Sequence, residues 1–205
     1  MKPSENLKEL HIIVEGKKEK AYKCPAGVLT IGIGHTSQEI MPFNEKSVWG
    51  EDEINRAWNL DLSAAVEAAC NGIKNPVSQG MFDATVDLIF NCGPNCRTYL
   101  NMVNTRQNEA AELALLRWIH VSGKASVGLI KRRLADVALF RGLDTWRDIA
   151  SCNVTSRNIK PLNELVAPMG FKVVPDSQRD WAVIQIDRVG NEVWRISFPF
   201  WPLYV

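Results

Sequence analysis

The sequence predicts an α+β fold with segregated parts: a small N-terminal β-lobe, a larger helical lobe and a C-terminal extension that contains a β-hairpin. Three observations carry this. A short helical pattern is followed, from Ala21 to Thr36, by glycine, β-branched residues and a Pro25-Ala26-Gly27 turn signal. Helical periodicity then returns at about residue 50 and persists to about residue 141. After about residue 150, seven of the seventeen aromatic residues crowd into the last 55 positions, some of them in strand-like alternation.

Each element has its own signals. Ser4 is placed to cap a first helix with Leu7, Leu10 and Val14 on one face, and Gly16 to stop it. Gly50-Glu51-Asp52-Glu53 opens a second helix with acids at its positive end, and Ile54, Ala57, Trp58, Leu62, Ala65, Val66 and Ala69 form its apolar stripe. Ser78 caps a third, with Met81, Phe82, Val86, Ile89 and Phe90 facing inward and Gly93 near its end. Shorter helical patterns span 96–104 and 107–118, and a basic amphipathic helix is expected over 129–141. In the tail, 180–188 and 192–198 alternate like strands, joined by Val189-Gly190-Asn191. Trp194, Ile196 and Phe198 give the second of them an apolar face. The domains expected are therefore 1–150 and an extension, 151–205.

The formal charge of +1 conceals a basic stretch over residues 117–147 that would suit an anionic polymer, or equally a solvated helix face. Five cysteines at irregular spacing do not form a secreted disulfide framework. Cys92 and Cys96 have no second Cys/His pair to complete a zinc set, so neither metal nor cofactor is implied. The N-terminal apolar run, Ile12-Ile13-Val14, is too short for a signal peptide or a membrane span.

Glu15 is the first candidate for chemistry. It sits in the last turn of the first helix, where the negative end of the helix dipole favours a protonated carboxyl, and partial burial would act in the same sense. A carboxylic acid that keeps its proton is what protonation of a glycosidic oxygen requires. By itself such a glutamate is more often a plain surface residue. Its surroundings change that. Eight residues separate Glu15 from Cys24, and five more separate Cys24 from Thr30, which opens Thr30-Ile31-Gly32-Ile33-Gly34-His35-Thr36.

These residues, with Val14-Glu15-Gly16 and Ala21-Tyr22-Lys23-Cys24-Pro25-Ala26-Gly27, closely resemble the active-site region of phage endolysins of glycoside hydrolase family 24. That family's pattern is Glu, then Asp or Cys after eight residues, then Thr after five. The resemblance extends through Gln79–Ala84, Phe90–Gly93, Arg117-Trp118, Gly123-Lys124 and Gly128–Arg133 to about residue 147. It does not reach 151–205.

The resemblance implies a lysozyme-like fold and hydrolysis of the β-1,4 bond between N-acetylmuramic acid and N-acetylglucosamine. By position Glu15 is the proton donor, Thr30 helps place water or substrate, and Cys24 occupies a site that is Asp in many members. A thiol has an ordinary pKa near ~8.5, so Cys24 acts as nucleophile, as weak base or as a neutral water-positioner, depending on whether Lys23 or the backbone stabilises a thiolate. Inversion and retention both stay open. His35 reads as a tether from the β-lobe to a carboxylate, and His11 and His120 suggest no constellation with Ser or Asp. Gly32 and Gly34 read as places where backbone and sugar chain approach closely, and Arg132 and Arg133 either meet wall carboxylates or form a solvated face.

The function expected is that of an endolysin acting on bacterial peptidoglycan, a monomer without nucleic-acid partner, membrane span or cofactor. It would wait in the host cytoplasm until a holin opens the way to the periplasm. A lytic transglycosylase, an antibacterial effector and a catalytically silent wall-binding homologue are the rivals.

Overall fold

Helix α1 (Glu5–Glu15) begins and ends where its cap residues dictate. The Ser4 hydroxyl accepts a hydrogen bond from the Leu7 N–H, and Gly16 takes φ +80°, which an L side chain resists, so the chain leaves the helix abruptly. The computed structural model describes residues 1–24, 27–121, 123–154, 158–176 and 180–196. The chain divides into two compact units, Met1–Cys96 and Arg97–Val205.

In the first unit α1 leads into an antiparallel pair, β1 (Lys18–Lys23) and β2 (Leu29–Gly32), with Tyr22 opposite Thr30 and Lys23 opposite Leu29. The backbone at 47–49 runs along the other side of β1: the Ala21 N–H donates to the Ser47 carbonyl and the Trp49 N–H to that of Glu19. Of the turn signal, Pro25 and Ala26 lie outside the described residues.

Helix α2 (Glu51–Gly72) opens with three acids, and the Glu53 carboxylate accepts from the Gly50 N–H at 2.9 Å. It buries Ile54, Ala57, Trp58, Leu62, Ala65 and Ala69, the expected stripe except Val66. Helix α3 (Gln79–Cys92), capped by Ser78, is buried at every position from Phe82 to Ile89. A helix buried all round is enclosed by the others, and α3 carries Asp83, Thr85 and Asp87 into that interior. On α1 the buried residues are Leu7, Leu10 and His11; Val14 is only half-buried. The histidine holds that place because the interior offers it polar partners.

The second unit contains α4 (Arg97–Asn104), α5 (Asn108–Leu115), a short pair β3 (His120–Val121) and β4 (Lys124–Ala125), α6 (Val127–Phe140), α7 (Trp146–Ser151) and α8 (Lys160–Val166). It ends in a three-stranded antiparallel sheet, β5 (Phe171–Asp176), β6 (Asp180–Ile186) and β7 (Glu192–Ile196), in that order. Helix α6 starts two residues before the sequence pattern suggested, because Ser126 caps it. Arg132 and Arg133, read as meeting wall carboxylates or forming a solvated face, are instead both buried, and Arg133 Nε lies 3.1 Å from the equally buried Asp136 carboxylate.

The tail is larger than the expected hairpin. Strand β5 and helix α8 precede it, and the Asn163 amide pairs with both backbone groups of Val173 at 2.9 and 2.7 Å. The β6–β7 turn is held by the Asp187 carboxylate, which accepts from the Val189 and Asn191 N–H groups. Trp194 is half-buried between exposed Val193 and Arg195, as the alternation implied. Phe198, Phe200, Trp201 and Tyr204 lie outside the described residues. The Arg141 guanidinium meets the Glu112 carboxylate at 2.6 and 2.9 Å, donates to the Met169 carbonyl at 2.8 Å and stacks over Phe171. Arginine's planar fork suits such a multidentate role.

Candidate active site

All three candidate residues fall in the Met1–Cys96 unit. Glu15 is the last residue of α1, and its side chain is exposed rather than partly buried. The position at the helix end is as expected and the partial burial is not found.

Beyond β2 the chain turns back on itself. The Ile31 N–H donates to the His35 carbonyl and the His35 N–H to that of Ile31, at 3.0 and 2.9 Å. This tight turn carries Gly34 at φ +74° against Glu15: a Cβ at Gly34 would stand 3.6 Å from the Glu15 Cβ and 3.8 Å from its carboxylate oxygen. Gly32, at φ +65°, faces the Trp49 ring at 3.5 Å. The close approaches at the two glycines are therefore to Glu15 and to Trp49. Gly34 thus seats the turn against the end of α1, and its positive φ is what an L side chain resists.

Cys24 and Thr30 are yoked through one acceptor. The Val28 carbonyl takes the Cys24 N–H at 2.9 Å and the Thr30 hydroxyl at 3.0 Å, while the Gly27 N–H donates to the Cys24 carbonyl at 2.8 Å. Thr30 is buried and Cys24 half-buried. Because the Thr30 hydroxyl hydrogen is given to Val28, the remaining capacity of its oxygen is that of an acceptor. Toward a water molecule Thr30 can hold a hydrogen but not supply one. Lys23, next to Cys24 in the chain, pairs with a carboxylate. Its ammonium lies 2.8 Å from the Glu45 carboxylate on the exposed surface, and that pairing raises the Lys23 pKa and lowers that of Glu45.

Two histidine arrangements stand behind these residues. His35 Nδ1 lies 2.9 Å from both oxygens of Asp61 on α2, and Nε2 donates to the Met41 carbonyl at 2.9 Å, which is the expected tether. Its ring packs against Phe43 and Trp49. Burial pushes the Asp61 carboxyl up, and the hydrogen bond and charge of His35 oppose that.

The second arrangement corrects the sequence reading. His11 does meet an aspartate: its Nε2 lies 2.9 Å from Asp87 Oδ1, and its Nδ1 accepts from the Trp58 indole N–H at 3.1 Å. No serine joins it, so a hydrolase triad still has no basis there. The available signal was a histidine on the buried stripe of α1 and an aspartate among the inward residues of α3. Neither is visible as a pair until the helices cross.

Residues 13–136 match the family model for phage lysozyme. An endolysin of Acyrthosiphon pisum secondary endosymbiont phage 1 is 33% identical over 133 residues, which are 62% of this chain and 88% of that protein. Among solved structures, an endolysin from the Escherichia coli phage FAHEc1 aligns at TM-score 0.62 and 26% identity, covering 68% of this chain and 93% of that one. A mutant of the lysozyme of phage P22 aligns at TM-score 0.61 and 29% identity, covering 69% and 99%. Both confirm the α+β, lysozyme-like fold class. With more than half its length matched, and the match taking in Glu15, Cys24 and Thr30, the chain belongs to the phage lysozyme family.

Proposed function

We propose that this chain is an endolysin, a muramidase that hydrolyses the β-1,4 bond between N-acetylmuramic acid and N-acetylglucosamine when the host cell is lysed. The observation that carries the reading is the family match, which spans the Glu15, Cys24 and Thr30 positions. The local geometry supports it: a carboxyl exposed at a helix end beside a glycine, with a thiol and a threonine oxygen held on the adjoining hairpin.

In this mechanism Glu15 gives its proton to the glycosidic oxygen as the bond from that oxygen to the muramic acid anomeric carbon breaks. The electron pair goes to the oxygen, which leaves as the 4-hydroxyl of N-acetylglucosamine. Water adds to the anomeric carbon and its proton passes to solvent, from which Glu15 regains one, so one water is consumed per bond. Thr30 accepts a hydrogen of that water, the one role its own hydrogen bond leaves it, and the Cys24 sulfur helps to hold it.

The enzyme works as a monomer, gains the periplasm from the host cytoplasm when a holin opens the inner membrane, and needs no cofactor. Among the described residues, no helix is long and apolar enough to cross a membrane. Residues 1–150 form the muramidase portion and 151–205 the extension. Mass spectrometry of muropeptides from digested peptidoglycan tests the reaction type. Hydrolysis predicts reducing N-acetylmuramic acid ends; anhydro ends would reassign the enzyme as a lytic transglycosylase.

A further inference from the structure

We propose that His11 is a positioning residue for Glu15: its two hydrogen bonds, to Asp87 on α3 and from Trp58 on α2, fix the rotation and axial place of α1 and so of the carboxyl at its end. The inference rests on the reading of Glu15 as the proton donor. His11 and Glu15 are four residues apart, on one face of α1 and about 6 Å apart along its axis. Glu15 is the last residue of α1, so the backbone from which its carboxyl projects is placed by that helix.

That helix is held in a directional way. His11 is fully buried, and both of its ring nitrogens are engaged. An indole N–H can only donate, so Nδ1 is the acceptor and Nε2 carries the hydrogen directed at Asp87. The tautomer is thereby set by Trp58, and the two bonds point to different helices. The same ring lies 4.8 Å from Phe90 and edge-on to Trp58 at 6.0 Å. Leucine at this position would bury as well, but apolar packing has no directional preference, whereas hydrogen bonds at 2.9 and 3.1 Å admit little rotation or sliding.

A second clamp acts at the other end of α1. The Asp83 carboxylate accepts from the Ser4 N–H at 3.1 Å and from the Ser4 hydroxyl at 2.5 Å. Asp83 and Asp87 are four apart on α3, so one face of α3 grips α1 at its N-cap and again one turn before Glu15. The polar interior of α3 then has a purpose that packing alone does not supply.

The test is steady-state cleavage of soluble peptidoglycan fragments by the full chain, with kcat and KM measured well below each variant's melting temperature. His11→Leu removes both hydrogen bonds, and Trp58→Phe removes one while keeping an aromatic ring. Each is expected to lower kcat about tenfold with KM within twofold of wild type, since small displacements of a reacting group are costly. Asp87→Asn keeps an acceptor for the His11 N–H and is expected to hold kcat within fivefold. The indole N–H proton resonance that disappears in Trp58→Phe should shift in His11→Leu. If His11→Leu does not fold, Trp58→Phe carries the test alone. A loss of kcat below fivefold in folded His11→Leu or Trp58→Phe overturns the proposal. Glu15→Gln, measured alongside, separates the two readings. If it is inactive while Trp58→Phe has wild-type kcat, only the positioning role falls; if it keeps wild-type kcat, both readings fall.

Discussion

At the scale of single residues, the site is a set of side chains held by backbone geometry, and Gly34 shows how tightly. Its φ of +74° favours glycine, and a Cβ there would stand in ordinary contact, 3.6 Å, with the Glu15 Cβ. Gly34→Ala is expected to cost about 1–3 kcal/mol of stability from backbone strain. It should also lower kcat, because relief of that strain moves the turn packed against Glu15. Denaturant unfolding and a cleavage assay on the same preparation check both, and an alanine variant with wild-type stability would contradict the geometry. Cys24 is the other sensitive position. Its sulfur is read as a lone-pair donor that helps to hold water. Cys24→Asp should therefore keep substantial activity and Cys24→Ala should lose most of it; full activity in the alanine variant would make the thiol a bystander.

At the scale of elements, caps and stripes were legible because they depend on near neighbours: Ser4, Gly16, Ser78 and Gly93 stand where the helices begin and end. The spacing of Glu15, Cys24 and Thr30 was legible for the same reason. The buried polar pairs were not, since Asp83 and Asp87 gain their meaning from residues 79 and 76 positions away. Strand β5 and helix α8 were missed because Phe171–Asp176 becomes a strand through pairing with β6, and Asn163 finds its partner only in Val173. Asp83 gives an element-scale prediction. Burial raises its carboxyl above the ordinary range, against the opposing bonds from Ser4 and Gln79. With the folded pKa above the unfolded one, the folded state binds more protons in the window just above pH ~4, so this residue's contribution to stability is lost as pH rises through it. Asp83→Asn removes that dependence. The stability of Asp83→Asn relative to wild type should therefore increase between about pH 4 and pH 6. Melting curves across that range decide it, and a constant difference would contradict the sign.

At the scale of the whole molecule, the candidate catalytic residues lie in the Met1–Cys96 unit, while the extension lies in the other unit with α4 to α7. Arg141, Glu112, Met169 and Phe171 join the two parts of that second unit. Ending the chain near residue 150 would remove the Met169 carbonyl and the apolar residues Leu162, Val166, Phe171 and Val183, all buried. Such a truncation is expected to lower the melting temperature by at least ~5 °C. It should cleave purified peptidoglycan wherever it remains folded. A folded but wholly inactive 1–150 would place the extension in the catalytic unit.

The central claim is that Glu15 supplies the proton for glycosidic cleavage, and the most direct measurement is the initial rate of turbidity loss when outer-membrane-permeabilised Gram-negative cells meet Glu15→Gln. General acid catalysis contributes ~10²–10⁴-fold, and the substitution keeps the shape of an exposed side chain at a helix end. The account predicts a rate below about a hundredth of wild type, with melting temperature essentially unchanged. A folded Glu15→Gln that clears cells above that level would contradict it.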